Sequence, residues 1–177
     1  MVLLLVIIYV SFISLGLPDG MLGAAWPVMR ADFTLPLGSA GFVSMTISGA
    51  TIISSLFSSK LIKKWGTGLV TSLSVLLTAL ALLGFSLAPS FWFLFLLALP
   101  LGLGAGAVDS GLNEYVAEHY KASHMNFLHS FWGVGALSGS VIMGFFLQTQ
   151  GSWRGSYKLV SLIQLGLTVL LFLSLPV

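Results

Sequence analysis

The sequence is poor in charged residues, which make up 7% of its 177 positions, and it contains no cysteine. Soluble domains carry about 25% charged residues, so this composition excludes an ordinary soluble core. The absence of cysteine excludes a disulfide framework and a thiolate metal site. Because acidic residues are so few, the net charge of +2 reflects missing acids rather than a basic binding surface. We therefore expect no nucleic-acid partner.

Long apolar segments dominate what is present. Hydrophobic residues make up 57% of the chain and its mean hydropathy is +1.05. Crossing a bilayer as a helix takes about 20 apolar residues, and no alternating pattern typical of a barrel is found. We therefore predict an all-α, polytopic membrane protein that forms a single six-helix membrane domain over residues 1–177. The predicted spans are 2–30, 37–61, 67–88, 91–120, 123–148 and 156–176.

Basic residues in the connections predict how the chain is inserted. The apolar run at the N-terminus is too long for a signal peptide, so we expect it to be the first membrane helix. With the N-terminus inside, the cluster at 60–64 lies on the inner side, as the positive-inside rule requires. We therefore predict a multi-pass protein of the cell membrane with a cytoplasmic N-terminus. The inner basic residues are Lys60, Lys63, Lys64 and Lys121, and the outer ones are Arg30, Arg154 and Lys158.

The two halves of the chain resemble each other when one is shifted by 90 residues. The shift aligns Gly16 with Gly106 and Asp19 with Asp109, and it places helices 1, 2 and 3 on helices 4, 5 and 6. Three spans followed by three more must have opposite orientations in the membrane. We therefore predict a 3+3 inverted repeat, with repeat one at 1–88 and repeat two at 91–177, as in secondary transporters.

Two aspartates fall inside predicted membrane helices. Asp19 and Asp109 each lie somewhat past the middle of their own span, so the two carboxylates straddle the midplane. A charge at that depth costs at least ~2.5–3.5 kcal/mol, so it must be protonated, paired or exposed to water. Each aspartate could be a hydrogen-bonding strut between helices. We favour proton coupling, because intramembrane ionisable residues usually mark ion or substrate pathways.

Polar residues near these aspartates are candidate ligand contacts. Asn113 follows Asp109 by one helical turn, and Trp26 shares a stripe with Asp19. A carboxylate, an amide and an indole donor suit a polyhydroxylated ligand. The predicted substrate contacts are Asn113, Trp26, His129 and Trp132. Most glycines of these helices are better explained by close helix packing, and Gly135 and Gly139 fit that role best.

Prolines interrupt two of the predicted helices. Pro18 and Pro27 fall in helix 1, and Pro100 falls in helix 4. Each proline frees a carbonyl and allows a bend, and bent helices at matching positions of two repeats point to a binding site. Simple tolerance of proline in membrane helices is an equally good explanation.

Charged and titratable residues also lie near the helix ends. Glu114 and Glu118 share one helix face and could pair with the lysines at 60, 63 and 64 as a latch that breaks during transport; solvated interfacial charge is the alternative. The three histidines at 119, 124 and 129 do not share a face. We therefore predict no metal site, and we expect no cofactor.

These motifs resemble the fucose-permease-like sugar:proton symporter branch of the major facilitator superfamily. GLGAGAVDSGLN at 102–113 resembles helix 4 of that branch, GLPDG at 16–20 resembles the site of its other essential acid, and GSWRGSY at 151–157 resembles the loop between helices 5 and 6. The resemblance implies proton coupling at Asp19 and Asp109 and a sugar contact at Asn113. The segment SSKLIKKWGTG departs from the gating signature of the superfamily, since Ser59 replaces a glycine and Lys63 an aspartate.

The resemblance covers half of a family fold, because the family has twelve helices with a cavity between two six-helix halves. We therefore expect a homodimer, a partner half encoded elsewhere, or a fragment. The function expected is secondary transport of a small polar solute, a sugar in first place, together with protons. A non-transporting packing module or fragment is the alternative. An intramembrane serine protease is disfavoured, because GALSG at 135–139 has the wrong spacing for the protease signature.

Overall fold

The computed structural model describes residues 2–174, with side chains from residue 4 onward. Each of the six helices is long and apolar enough to cross a bilayer, which confirms the predicted all-α, six-span class. The predicted end of the last span at 176 lies outside the described residues. The helices are α1 Val2–Asp32, α2 Ser39–Trp65, α3 Thr67–Leu87, α4 Phe91–His119, α5 Ala122–Gln150 and α6 Arg154–Ser174.

Helix α2 ends later than the sequence predicts. It continues past residue 61 to Trp65, so Lys63 and Lys64 form its last turn instead of a connection. Cations in that position are stabilised by the negative end of the helix dipole. The helix stops at Gly66, whose φ of 81° lies in a region that glycine adopts without strain. Helix α3 then begins at the next residue.

The prolines do not break the helices that contain them. Helix α1 runs unbroken through Pro18 and Pro27, and α4 runs unbroken through Pro100. The described parts of α1 and α4 therefore contain no break at a proline. Membrane helices tolerate proline because neighbouring groups satisfy the freed carbonyls.

The helices pack in an arrangement that repeats within the bundle. Helix α1 lies along α5, α2 lies along α4, and α3 packs against both α4 and α6. Exchanging α1 with α4 and α2 with α5 converts the first pair into the second, as an inverted repeat requires. The same symmetry also exchanges α3 with α6, so the contact between α3 and α4 should match that between α6 and α1. The symmetry is imperfect, because α1 touches α6 much less extensively than α3 touches α4.

Glycines bring α1 and α5 into backbone contact. A Cβ added at Gly135 would overlap the carbonyl oxygen of Ile13, and one at Gly139 would overlap that of Leu17. Gly16 in turn faces the backbone of Trp132 without room for a side chain. The packing role predicted for Gly135 and Gly139 is therefore confirmed. Small residues at such interfaces allow van der Waals contact between helices that have no hydrophobic driving force in lipid.

One end of the bundle, here called the Trp153 end, is closed by a polar cluster. The indole Nε1 of Trp153 donates a hydrogen bond to Oδ2 of Asp32 at 2.8 Å. Arg154 donates to the carbonyl oxygen of Ala88 at 2.7 Å, and its guanidinium carbon lies 4.4 Å from the centre of the Trp153 ring. These contacts tie the start of α6 to the ends of α1 and α3. The opposite end, called the N-terminal end below, contains the start of α1.

Candidate functional site

The two intramembrane aspartates lie close enough for their charges to interact. Asp19 extends from α1 and Asp109 from α4, two helices that otherwise touch only slightly. Asp19 is exposed on the surface of the six-helix unit, whereas Asp109 is half-buried. The fold therefore brings together two carboxylates from different halves of the chain. They form the centre of the candidate site.

Asp19 is held by a residue of another helix. The indole Nε1 of Trp132, on α5, donates a hydrogen bond to Oδ2 of Asp19 at 2.9 Å. This contact depends on the close approach of α1 and α5 at Gly16, where the backbone of Trp132 lies directly against the glycine. The indole is 40% exposed, so part of its ring remains free beside the carboxylate. When Asp19 is ionised, the charged acceptor makes this hydrogen bond stronger than one between neutral groups.

Asp109 is held within its own helix. The amide Nδ2 of Asn113 donates to Oδ1 of Asp109 at 3.0 Å, across one turn of α4. The amide oxygen of Asn113 is buried and has no hydrogen-bond partner in the part of the chain that the structure describes. His129 of α5 interacts electrostatically with Asp109, and its exposed ring stands edge-on to Phe12 with the centroids 6.3 Å apart.

A cavity of about 240 Å³ opens beside Asp19. Its polar lining combines the Asp19 carboxylate with two hydroxyls of α2, one hydroxyl of α3 and one amide of α6. Ser44 and Ser48 are exposed, face the same side of α2 one turn apart, and make no hydrogen bond with another described residue. Their hydroxyls are free to bind a solute. The polar residues are Asp19, Ser44, Ser48, Thr78 and Gln164.

Gln164 forms the floor of this cavity in a fixed orientation. Its Nε2 donates to the carbonyl oxygen of Ser14 at 2.9 Å, and its Oε1 accepts from Thr78 at 2.9 Å. The amide is buried, and these bonds connect α6 to α1 and α3. The sequence pattern did not point to this glutamine or to the serines of α2. The spacing of Ser44 and Ser48, one helical turn, was the signal available for the serines.

Trp26 is not at the site. Its ring belongs to the hydrophobic core, and its Nε1 donates to the carbonyl oxygen of Leu37 at 3.1 Å. The connection between α1 and α2 folds back over the indole and supplies this acceptor. The sequence could not show that contact, because the helical stripe places Trp26 above Asp19 without indicating what covers it.

The predicted latch between lysines and glutamates is not formed in this conformation. Glu114 accepts a hydrogen bond from Oγ of Ser59 at 3.1 Å. The ammonium of Lys60 lies 5.7 Å from the centre of the Phe57 ring, and that of Lys64 lies 5.7 Å from the Trp65 ring. Lys63 and Glu118 are exposed. Among the described residues no ion pair joins these lysines to either glutamate.

The remaining titratable residues form separate contacts near the N-terminal end. Nδ1 of His124 lies 2.6 Å from the hydroxyl of Tyr9, and the ring of His119 stacks on Tyr115 with the centroids 4.3 Å apart. Residues 2–174 contain no group of three side chains arranged to hold a metal ion.

Comparison with known families matches residues 8–177 to the Major Facilitator Superfamily. A comparison with curated proteins found no match. The family match covers nearly the whole chain, including both aspartates and all six helices from the second turn of α1 onward. It agrees with six apolar spans packed as two related halves. The chain therefore belongs to the major facilitator superfamily, a superfamily of membrane transporters.

Proposed function

We propose that this six-helix unit is one half of a proton-coupled transporter that moves a small polar solute of the sugar class. The observation that carries the proposal is the pair of carboxylates, Asp19 and Asp109, brought together from helices of different halves. Ionisable residues inside a membrane usually mark ion pathways. The resemblance to fucose-permease-like sugar:proton symporters supports the same assignment.

The carboxylates carry the proton in this proposal. Two negative charges close together in a low dielectric repel each other, and binding of one proton removes that repulsion. Trp132 and Asn113 each donate a hydrogen bond to one of the carboxylates, so each acid has a partner in the charged form. Substrate hydroxyls that compete for the same oxygens would link solute binding to protonation.

The solute binds beside Asp19 in this proposal. The free hydroxyls of Ser44 and Ser48 and the carboxylate of Asp19 supply donors and acceptors for a polyol. The exposed part of the Trp132 ring offers an apolar surface for the carbon face of a sugar ring. Most specificity in such sites comes from a few polar groups placed on an apolar lining.

A second six-helix unit completes the cavity. In this superfamily fold the cavity lies between two six-helix halves related by an axis along the membrane normal. Asp19 and Trp132 are exposed on this unit, and lipid against a carboxylate would be costly. A second copy of this unit in a parallel two-fold dimer supplies the missing wall, with the N-terminus on the cytoplasmic side. A different six-helix half would satisfy the same requirement.

The test is solute uptake into proteoliposomes driven by an imposed pH gradient, scanned over a panel of labelled sugars. Asp19→Asn and Asp109→Asn should each abolish proton-driven accumulation. Asp32→Asn is the matched control, because it makes the same change at the Trp153 end, where asparagine can still accept the indole hydrogen bond. The control should transport like the unmodified protein.

Exchange of labelled for unlabelled solute, measured without a gradient, separates coupling from binding. Asp109→Asn should retain part of this exchange while losing accumulation. Accumulation at the unmodified rate in both aspartate variants would refute the coupling role. Absence of uptake and exchange for every sugar in the unmodified protein would refute sugar transport.

A further inference from the structure

A second cavity lies at the N-terminal end of the bundle, apart from the site around Asp19. Its volume is about 430 Å³, within the range of ~300–1,000 Å³ that is typical of ligand sites. It is lined by the start of α1, the turn between α2 and α3, the start of α3, and the ends of α4 and α6. None of its lining residues is acidic.

The N-terminus of α3 opens into this cavity. Thr67, Gly68 and Leu69 form its first turn, and all three line the cavity. The residue before them, Gly66, has no side chain, and no side-chain hydrogen bond caps the helix. The first N–H groups of a helix have no partner within it, and they lie at the positive end of its dipole. This 21-residue helix therefore presents donors and partial positive charge to the cavity.

A buried hydroxyl in the cavity wall points independently to a ligand. Thr71 lines the cavity and is 2% exposed, and its Oγ1 has no hydrogen-bond partner among the described residues. The neighbouring Ser72 differs, since its Oγ donates to the carbonyl oxygen of Gly68 at 2.9 Å. A buried hydroxyl without a partner destabilises the protein, and a bound acceptor would remove that cost.

The charge and polarity of the cavity lining indicate which kind of ligand would fit. The ammonium of Lys64 lies over the ring of Trp65, and that ring lines the cavity. The positive groups are therefore gathered at the turn between α2 and α3. The rest of the wall is mainly aliphatic, formed by Leu4, Ile7, Ile8, Leu112 and Leu171. The cavity combines one anion-binding end with an apolar body.

We propose that this cavity binds an anionic phospholipid. Its phosphate lies at the N-terminus of α3, where it accepts hydrogen bonds from the free N–H groups and from Thr71. Its acyl chain lies along the aliphatic wall formed by α1 and α6. Helix N-termini bind phosphate through N–H groups and the dipole together. The aliphatic wall, at the end of membrane-spanning helices, favours a lipid over a soluble phosphate.

The test measures lipid binding to the purified protein in detergent by native mass spectrometry, with phosphatidylglycerol and phosphatidylcholine as probes. Phosphatidylglycerol should bind at least tenfold more tightly. Thr71→Val should weaken its binding about tenfold, the effect of losing one hydrogen bond to a charged group. The same variant should be at least as stable as the unmodified protein without lipid, because it removes a buried hydroxyl that has no partner.

Ser14→Ala is the matched control, since Oγ of Ser14 is also buried and unpartnered but lies outside the cavity. It should leave lipid binding unchanged. Lys64→Gln should weaken phosphatidylglycerol binding about threefold and provides a test that does not alter the core.

Three results would overturn the proposal. The first is equal binding of phosphatidylcholine and phosphatidylglycerol by the unmodified protein. The second is an equal loss of binding in Thr71→Val and Ser14→Ala. The third is binding of inorganic phosphate alone with the affinity of the lipid, which would assign the site to a soluble anion. None of these measurements depends on transport.

Discussion

The α1–α5 and α2–α4 pairs occupy equivalent places in the bundle, but different chemistry joins them. Between α1 and α5, both helices supply glycines, and each glycine faces the backbone of the other helix. Between α2 and α4, only α4 supplies them, and α2 contributes hydroxyls that donate to carbonyl oxygens of α4. The glycines are Gly16, Gly20, Gly135 and Gly139 in the first pair, and Gly102 and Gly106 in the second.

The hydroxyls of α2 form a row along α4. Oγ1 of Thr51 donates to the carbonyl oxygen of Gly102 at 3.2 Å, and Oγ of Ser54 donates to that of Leu103 at 2.5 Å. In the other pair, Oγ of Ser140 donates to the carbonyl oxygen of Gly20 at 2.9 Å. The α1–α5 contact is therefore set mainly by shape. The α2–α4 contact depends more on hydrogen bonds.

This difference extends to the two aspartates. The Asp19 contact is made across the α1–α5 interface by Trp132, whereas the Asp109 contact is made within α4 by Asn113. A shift of α5 relative to α1 would break the first and leave the second intact. In the proposed transporter, Asp19 is therefore the acid that senses movement between helices.

The largest effect is expected from filling the α1–α5 contact. Gly139→Ala should destabilise the protein by about 2–3 kcal/mol, because the new methyl group overlaps the carbonyl oxygen of Leu17 and the backbone must move. Gly144→Ala is the control on the same helix, where an added Cβ meets nothing within 4 Å. Thermal unfolding in detergent measures both. Equal loss of stability in the two variants would show that α1 and α5 do not pack this closely.

A smaller effect is expected from removing the partners of the aspartates. Trp132→Phe should destabilise the protein by about 1 kcal/mol, because it removes a hydrogen bond between helices that is partly exposed. Asn113→Ala should cost less than about 0.5 kcal/mol, because its bond to Asp109 joins residues of one helix, which stays formed when membrane helices separate. Thermal unfolding of both variants measures the two losses of stability. A larger loss for Asn113→Ala would reverse the assigned roles.

A similarly small effect is expected from single interhelical hydroxyls. Thr51→Val and Ser140→Ala should each cost about 0.6 kcal/mol, the average for hydrogen bonds between membrane helices. Replacing Ser54 by alanine in addition to Thr51→Val should increase the loss of stability, because Ser54 contributes a second hydrogen bond between α2 and α4. Ser59→Ala serves as a control near the end of α2, where its partner Glu114 is solvent-accessible and the loss should be negligible. Stability that is unchanged after both Thr51 and Ser54 are altered would contradict the hydrogen-bonded description of this pair.

The class of the fold and the packing role of two glycines could be predicted from sequence. Each span is long enough and apolar enough that no alternative to a membrane helix exists. Gly135 and Gly139 recur at a spacing that places them on one face, and the structure packs that face against α1. The predicted end of α2 at residue 61 is too early, because the lysines that suggest a polar connection are stabilised in its last turn.

Sequence periodicity identified residues that share a helix face, but it did not show which groups cover that face. Trp26 and Asp19 lie on one stripe, yet only the fold shows that Trp26 donates to the carbonyl oxygen of Leu37 and that Asp19 accepts from Trp132. Ser44 and Ser48 belong to a helix rich in small residues, and only the packing of α2 places them beside Asp19. Contacts between residues far apart in sequence depend on helix rotation and crossing, which local pattern does not encode.

By itself, the sequence determined that this chain resides in a membrane as six helices with two carboxylates inside its membrane spans. Composition and length set this outcome, because lipid allows no other way to satisfy the backbone. The tertiary structure decided that the two carboxylates are within electrostatic range of each other, that α5 and not α1 supplies the partner of Asp19, and that α3 opens its N-terminus into a separate cavity. Those features arise from how the helices approach one another, and the glycines that permit close approach act only once a partner helix is in place.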